Sequence, residues 1–189
     1  MIDLLVLYLH VAAAVVLVGA TVASRLAERG VSDAPDLAAL RGALDVGRRT
    51  GRANPLLALV LLASGLYLGR AGLWSAPWFW LAFATWFANL VLAARVVVPA
   101  RRALGAAAAQ AGEGAVPTQV DALRRARAPA IAHDVMIGLD LGTLMLMLAR
   151  PEPGMALLWP LLGVALSCAS RVAASLPRLA RPTPAARDA

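Results

Sequence analysis

The chain has 189 residues, 60% of them hydrophobic, and a mean hydropathy of +0.71. That composition excludes an ordinary soluble domain, which keeps more polar surface than this around its core. The net charge of +7 comes from arginine alone, and the arginines fall between apolar segments, so it excludes a nucleic-acid-binding face and signals membrane topology instead.

A bilayer core needs roughly 20 consecutive apolar residues. Five segments supply them: residues 4–24, 55–73, 78–98, 129–149 and 155–175. The first opens Met-Ile-Asp with no basic leader, so it reads as a retained span and not as a signal peptide. After it, Leu37, Leu40 and Leu44 recur at helical spacing with arginines opposite, predicting an amphipathic cytoplasmic helix. Asn54 followed by Pro55 predicts a capped start for the second span. Pro99 and Pro129 predict kinks in helices that continue into the cytoplasm. "GAAAAQAGEG" reads as a low-complexity connector, and residues 176–189, ending "RPTPAARDA", as a disordered cytoplasmic tail. The single cysteine, Cys168, excludes an intrachain disulfide and reads as a small packing residue between helices. The expected architecture is one all-α domain over residues 1–175, a polytopic transmembrane helix bundle with a four-helix core and a fifth C-terminal span.

Arginines set the orientation. The first loop holds six, from Arg25 to Arg52, and the second only Arg70; residues 95–127 again hold six, while the fourth loop has Arg150 balanced by Glu152. The positive-inside rule places the N-terminus outside and the C-terminus in the cytoplasm of a bacterial-type inner membrane. Tyr8, Tyr67, Trp74, Trp78, Trp80 and Trp159 fall at the expected outer interface, as an aromatic belt does.

Ionisable groups inside spans are costly, which marks His10, His133, Asp134 and Asp140, with Asn89, Thr85 and Thr143 as neutral company. At about 1.5 Å per residue, His10 lies roughly 9 Å below the outer end of its helix and Asp140 roughly 13 Å below. Those depths let the two meet if the first and fourth spans adjoin. His133 shares a face with Asp140 but sits about 10 Å nearer the cytoplasm, so it is disfavoured as a second axial haem ligand opposite His10. His10 therefore reads either as an interhelical hydrogen-bonding group or as a single ligand to haem or a metal, with Asp140 as its acidic partner or a proton relay. His133, a further relay candidate, and Asp134 lie where interfacial water can hydrate them. Met145 and Met147, two apart, read as lipid-packing residues on different sides of a helix. Gly138 with Gly142, and Gly65 with Gly69, form small-xxx-small pairs that favour close helix approach.

"LYLHVAAAVVLVGA", "NPLLALVLLASGLYL", "LWSAPWFWLAFATWF" and "LMLMLARPEPG" together resemble the DUF2269 family of integral membrane proteins and, more distantly, CopD-like membrane proteins. His10 and Gly19 carry the family's first-span pattern, and the likeness covers roughly residues 4–154, leaving the fifth span outside the usual four-helix core. The CopD-like likeness implies copper uptake. A further likeness, to the four-helix protoporphyrinogen oxidase family, implies haem b near a first-span histidine and maps onto His10, with Arg25 as a loose match. The functional lysine of that family has no counterpart, since the chain contains no lysine. The leading expectation is a haem- or copper-associated redox or transport protein with His10 as ligand. The alternatives are a non-catalytic subunit or scaffold with membrane-protein partners, a homo-oligomer among them, and a small proton-coupled carrier built on Asp140.

Overall fold

A computed structural model describes residues 1–70 and 72–179, with side chains described through residue 169. The elements are α1 (Ile2–Asp33), α2 (Leu37–Gly51), α3 (Asn54–Gly69), α4 (Pro77–Leu92), α5 (Val98–Gln110), α6 (Thr118–Arg124), α7 (Arg127–Ala149), α8 (Pro153–Ala156) and α9 (Leu158–Leu179). No strand occurs among the described residues, and the chain is an all-α helical bundle. Four helical stretches are long and apolar enough to cross a membrane: Ile2–Asp33, Leu37–Gly69, Pro77–Gln110 and Thr118–Ala149. Their outer faces carry exposed leucine, valine and phenylalanine side chains, among them Leu4, Val15, Leu59 and Phe87, as lipid contact requires.

Helices outlast the apolar runs that announced them. Nothing in the sequence breaks α1 at Ser24, and it ends only where Ala34 turns extended before Pro35. Arg25 and Glu28 are thus helical and face the bundle rather than a loop. Likewise α4 passes through a π-helical segment, Ala93–Val97, into α5. Pro99 explains the widening. It lacks an N–H and its ring would strike the carbonyl four residues back, so Val98 N–H bonds the Ala93 carbonyl instead.

Four expectations about boundaries change. Asn54 is the first residue of α3, not its cap, and its Oδ1 is buried without a hydrogen bond. Pro129 falls in the first turn of α7, where a proline is tolerated, so it starts a helix instead of kinking one. The alanines of "GAAAAQAGEG" extend α5 to Gln110, because alanine is the best helix former and Ala108 has a core to enter. The backbone of α9 continues to Leu179, past Ser175; residues 180–189 of the expected tail lie outside the described residues.

At the arginine-rich end, α1, α2, α5 and α6 close around Val31, Leu37, Leu40, Leu104, Ala108 and Val120. The expected amphipathic helix is α2, its Leu37 and Leu40 buried and Leu44 packed beside them; Asp36 caps it by accepting from Ala39 N–H at 2.8 Å. Arg41 ties α2 to the C-terminus of α5 by donating to the carbonyls of Ala108 (2.8 Å), Ala111 (2.6 Å) and Gly112 (3.1 Å).

In the apolar part of the bundle, α1 packs against α3 and α7, and α7 against α4 and α9. The α7–α9 contact is backbone to backbone. A Cβ on Gly138 would lie 2.5 Å from Val164 Cα, one on Gly142 2.5 Å from Pro160 Cα, and one on Gly163 would strike the Gly138 carbonyl oxygen. This leaves α1, α3, α4 and α7 to enclose the interior.

Candidate functional site

Those four helices surround a half-enclosed cavity of about 350 Å³. Leucines and valines of α1 and α3 form one wall, and Trp78, Phe79, Phe83 and Trp86 of α4 form another. His10 is among its few polar lining groups, together with Asp140, Thr143 and Arg150.

His10 is 9% exposed and its ring lies against Gly65, where a Cβ would come within 3.3 Å of Cε1. Absence of a side chain at Gly65 is what lets α3 approach the imidazole. One turn of hydrogen bonds then fixes the ring. Nδ1 is 2.8 Å from Ser64 Oγ, and that hydroxyl donates its single proton to the Val60 carbonyl at 2.5 Å. With that proton on the Val60 carbonyl the hydroxyl can only accept from the ring, and this arrangement puts the ring hydrogen on Nδ1 and the lone pair on Nε2. The Leu61 carbonyl is a backbone partner of the ring, and no side chain among the described residues hydrogen-bonds Nε2. The neutral imidazole therefore presents a ligand atom beside an apolar space, oriented by a neighbour as ligating histidines are.

Asp140 lines the same cavity but does not bond His10. Asn89 Nδ2 donates to its Oδ1 at 2.6 Å, and the Thr21 hydroxyl is its neighbour on α1. Thr85 and Thr143 hydrogen-bond at 2.7 Å one turn further along, so α4 and α7 are joined by two polar rungs. The expected meeting of His10 and Asp140 takes the form of a shared cavity, with each group held by a different helix.

His133 and Asp134 stand apart from the cavity, in a buried cluster at its arginine-rich end. Arg25 Nε donates to Asp134 Oδ1 at 2.6 Å; His133 Nδ1 lies 2.8 Å from Glu28 Oε1; Arg101 Nη2 lies 3.6 Å from the same oxygen. His133 is 3% exposed and Asp134 6%, so protein partners and not interfacial water surround them, contrary to expectation: Arg25 pairs with Asp134 and Glu28 lies beside His133.

Ser64, Glu28 and Arg101 carry this geometry without having been expected as site residues, and Arg25, a loose match to a haem-site residue in the oxidase likeness, serves instead in the ion cluster. Arg25 and Glu28 have a sequence signal, opposite charges at i,i+3 directly after an apolar run. Ser64 has none beyond its place next to Gly65. Met145 is exposed as expected, whereas Met147 lines the cavity. Cys168 is half-buried on α9.

Among the described residues no group of three or more histidine, cysteine, aspartate or glutamate side chains could hold a metal ion. A bare copper ion would find one imidazole here and too few partners. Haem brings four ligand nitrogens of its own and asks the protein for one or two, which the donor set meets. Compared with known proteins, the chain matches no family model, no curated protein and no solved structure.

Proposed function

We propose that this membrane protein holds haem b in the cavity between α1, α3, α4 and α7, with His10 as axial ligand, in a redox or transport role. The observation that carries the reading is the imidazole whose Nδ1 is committed to Ser64, leaving Nε2 free at an aromatic-walled apolar space. Haem held there by His10 would supply a one-electron iron couple.

The remaining residues have definite parts. Ser64 orients the ring and holds its proton on Nδ1, leaving Nε2 for the ligand. The leucines and the Trp78–Trp86 wall exclude water, and the volume lies at the lower end of the roughly 300–1,000 Å³ typical of small-molecule sites. Arg150 borders the cavity and can meet a carboxylate on the ligand's rim. It holds that place in a left-handed conformation, φ 45° and ψ 54°, which a non-glycine residue adopts only at a cost. The likeness to DUF2269, CopD-like and protoporphyrinogen oxidase proteins points the same way. So does a bacterial inner-membrane setting with the N-terminus outside, which the arginine distribution favours.

The test is spectroscopic. The full chain, purified in mild detergent and titrated with haem, should develop a Soret band shifted from that of free haem, and His10→Ala should lose it. An unshifted band in the parent protein, or one that survives His10→Ala unchanged, refutes the assignment. Absence of binding together with pH-dependent flux in liposomes that Asp140→Asn abolishes would favour a proton-coupled carrier.

A further inference from the structure

The α1–α7 seam contains polar groups that the cavity does not use. Asp140 is the α7 residue of the cavity lining nearest the arginine-rich end. Beyond it the polar groups continue in order. Thr21, beside Asp140, donates to the Leu17 carbonyl at 2.9 Å. Ser24 follows, only 2% exposed, with its Oγ lacking any hydrogen bond. One turn later comes Glu28, whose two carboxyl oxygens are buried without a hydrogen bond of good geometry, Oε1 lying 2.8 Å from His133 Nδ1. Asn89 Oδ1, on the far side of Asp140, is likewise buried and unbonded.

The spacing makes this a line rather than a scatter. Positions 21, 24 and 28 share a face of α1, and 133 and 140 share a face of α7. Each set covers about 10 Å along its helix, and the antiparallel packing sets Thr21 against Asp140 and Glu28 against His133. Buried oxygens without a protein hydrogen bond of good geometry are commonly satisfied by internal water, and the run of polar groups along this seam offers such water its neighbours. Hydroxyls, carboxyls and an imidazole joined by water are the components of proton relays in membrane proteins.

We propose that this seam is a proton path linking the arginine-rich end of the bundle to Asp140 at the cavity floor. The entry is the Glu28–His133 pair. Its 2.8 Å separation lets one proton reside on either Oε1 or Nδ1. That proton passes to water at Ser24, through the Thr21 hydroxyl, and onto the Asp140 carboxylate. Hydronium from the arginine-rich side refills the pair, so charge and atoms balance. Arg25 on α1 (3.8 Å) and Arg101 on α5 (3.6 Å) face Glu28, and Asp134 on α7 pairs with Arg25. Asp140 is faced by Asn89 of α4 and Thr21 of α1, and shares its cavity with His10 and Arg150. The path thus serves a ligand that takes up or releases protons as it reacts or is carried, whether that ligand is haem or another apolar molecule.

The test is the rate at which the carboxyl proton of Asp140 exchanges for deuterium, followed by time-resolved infrared spectroscopy on the full chain in detergent. The band is identified by its loss in Asp140→Asn. Ser24→Ala and Glu28→Gln should each slow exchange by roughly tenfold or more, the effect of about one hydrogen bond's worth of barrier. Ser24→Ala leaves the ion cluster whole, so it reports on the path even if Glu28→Gln unfolds the protein. Unchanged exchange in Ser24→Ala overturns the proposal, because protons then reach Asp140 through the cavity. The lack of a protonated Asp140 band at any accessible pH overturns it as well.

Discussion

Replacing Ser64 by alanine isolates the device on which the cavity chemistry depends. Ser64 Oγ is 2.8 Å from His10 Nδ1 and 2.5 Å from the carbonyl that takes its proton. Alanine removes one oxygen and adds no bulk beside Gly65. The buried Nδ1–H then loses its acceptor, which costs about 1–3 kcal/mol. It also loses the reason to keep its proton on Nδ1. Wherever the proton moves to Nε2, the ring offers an N–H to the ligand and cannot coordinate. Losing a neighbour of this kind typically weakens ligation about 10–100-fold, equivalent to about 1.4–2.8 kcal/mol. Haem titration followed at the Soret band should therefore show the dissociation constant rising by that factor. Ser64→Thr, which keeps the hydroxyl, should recover most of it. Ring-nitrogen NMR of labelled histidine should report the parent His10 as the Nδ1–H tautomer even without ligand. If Ser64→Ala binds haem as tightly as the parent while His10→Ala does not bind, Ser64 does not set the tautomer and the reasoning fails.

Other perturbations separate packing from function. Gly163→Ala drives a methyl into the Gly138 carbonyl and should part α7 from α9, destabilising by about 1–3 kcal/mol or more; thermal unfolding in detergent would show it, and an unchanged melt would contradict the backbone contact. Arg150→Gly relieves a left-handed strain of about 1–2 kcal/mol and should raise the melting temperature while weakening haem binding; tighter binding would remove Arg150 from the site. Arg41→Ala strips the α5 carbonyls of a charged donor worth about 1.5–3 kcal/mol, and amide exchange should quicken selectively in α5 and α2. Arg25→Leu alone strands Asp134 and should cost about 3–5 kcal/mol, whereas Arg25→Leu with Asp134→Leu should recover most of the loss; a double variant as unstable as the single would show that the pair itself holds the fold.

What could be read in the sequence follows from which forces leave a local trace. Bilayer-length apolar runs made the bundle legible, and the leucine spacing of 37, 40 and 44 made α2 legible. Helix ends were not, because hydropathy marks where lipid contact stops and not where backbone hydrogen bonding stops. Ending the first span at Ser24 puts Arg25 into a loop as a topology marker, whereas the helix runs on unbroken to Asp33 and makes Arg25 and Glu28 walls of the bundle. That one boundary hid the ion cluster and with it the burial of His133. His10 and Asp140 were legible as costly intramembrane groups. Their partners were not: Ser64 and Asn89 are ordinary polar residues whose roles depend on which helices touch, a fact no single-sequence periodicity contains.

One helix, α1, carries both halves of the interior. Residues between Leu7 and Val18 line the cavity, and Thr21, Ser24, Arg25 and Glu28 form the polar seam. Each half requires the same axial register: His10 must meet Ser64 on α3, and Thr21 must meet Asp140 on α7. Apolar contacts along α1 do not fix that register, since a stripe of valine, leucine and alanine packs nearly as well after a slip. The Arg25–Asp134 pair does fix it. Its side chains are 12% and 9% exposed, and a slip would leave two buried charges unpaired. A buried ion pair adds little net stability over an apolar pair of similar size, but its penalty for misalignment is large. The cluster at the arginine-rich end is therefore what places the imidazole at the cavity wall, more than 20 Å away along α1 by helical rise. Loosening it should disturb ligand binding at His10 before it disturbs the fold.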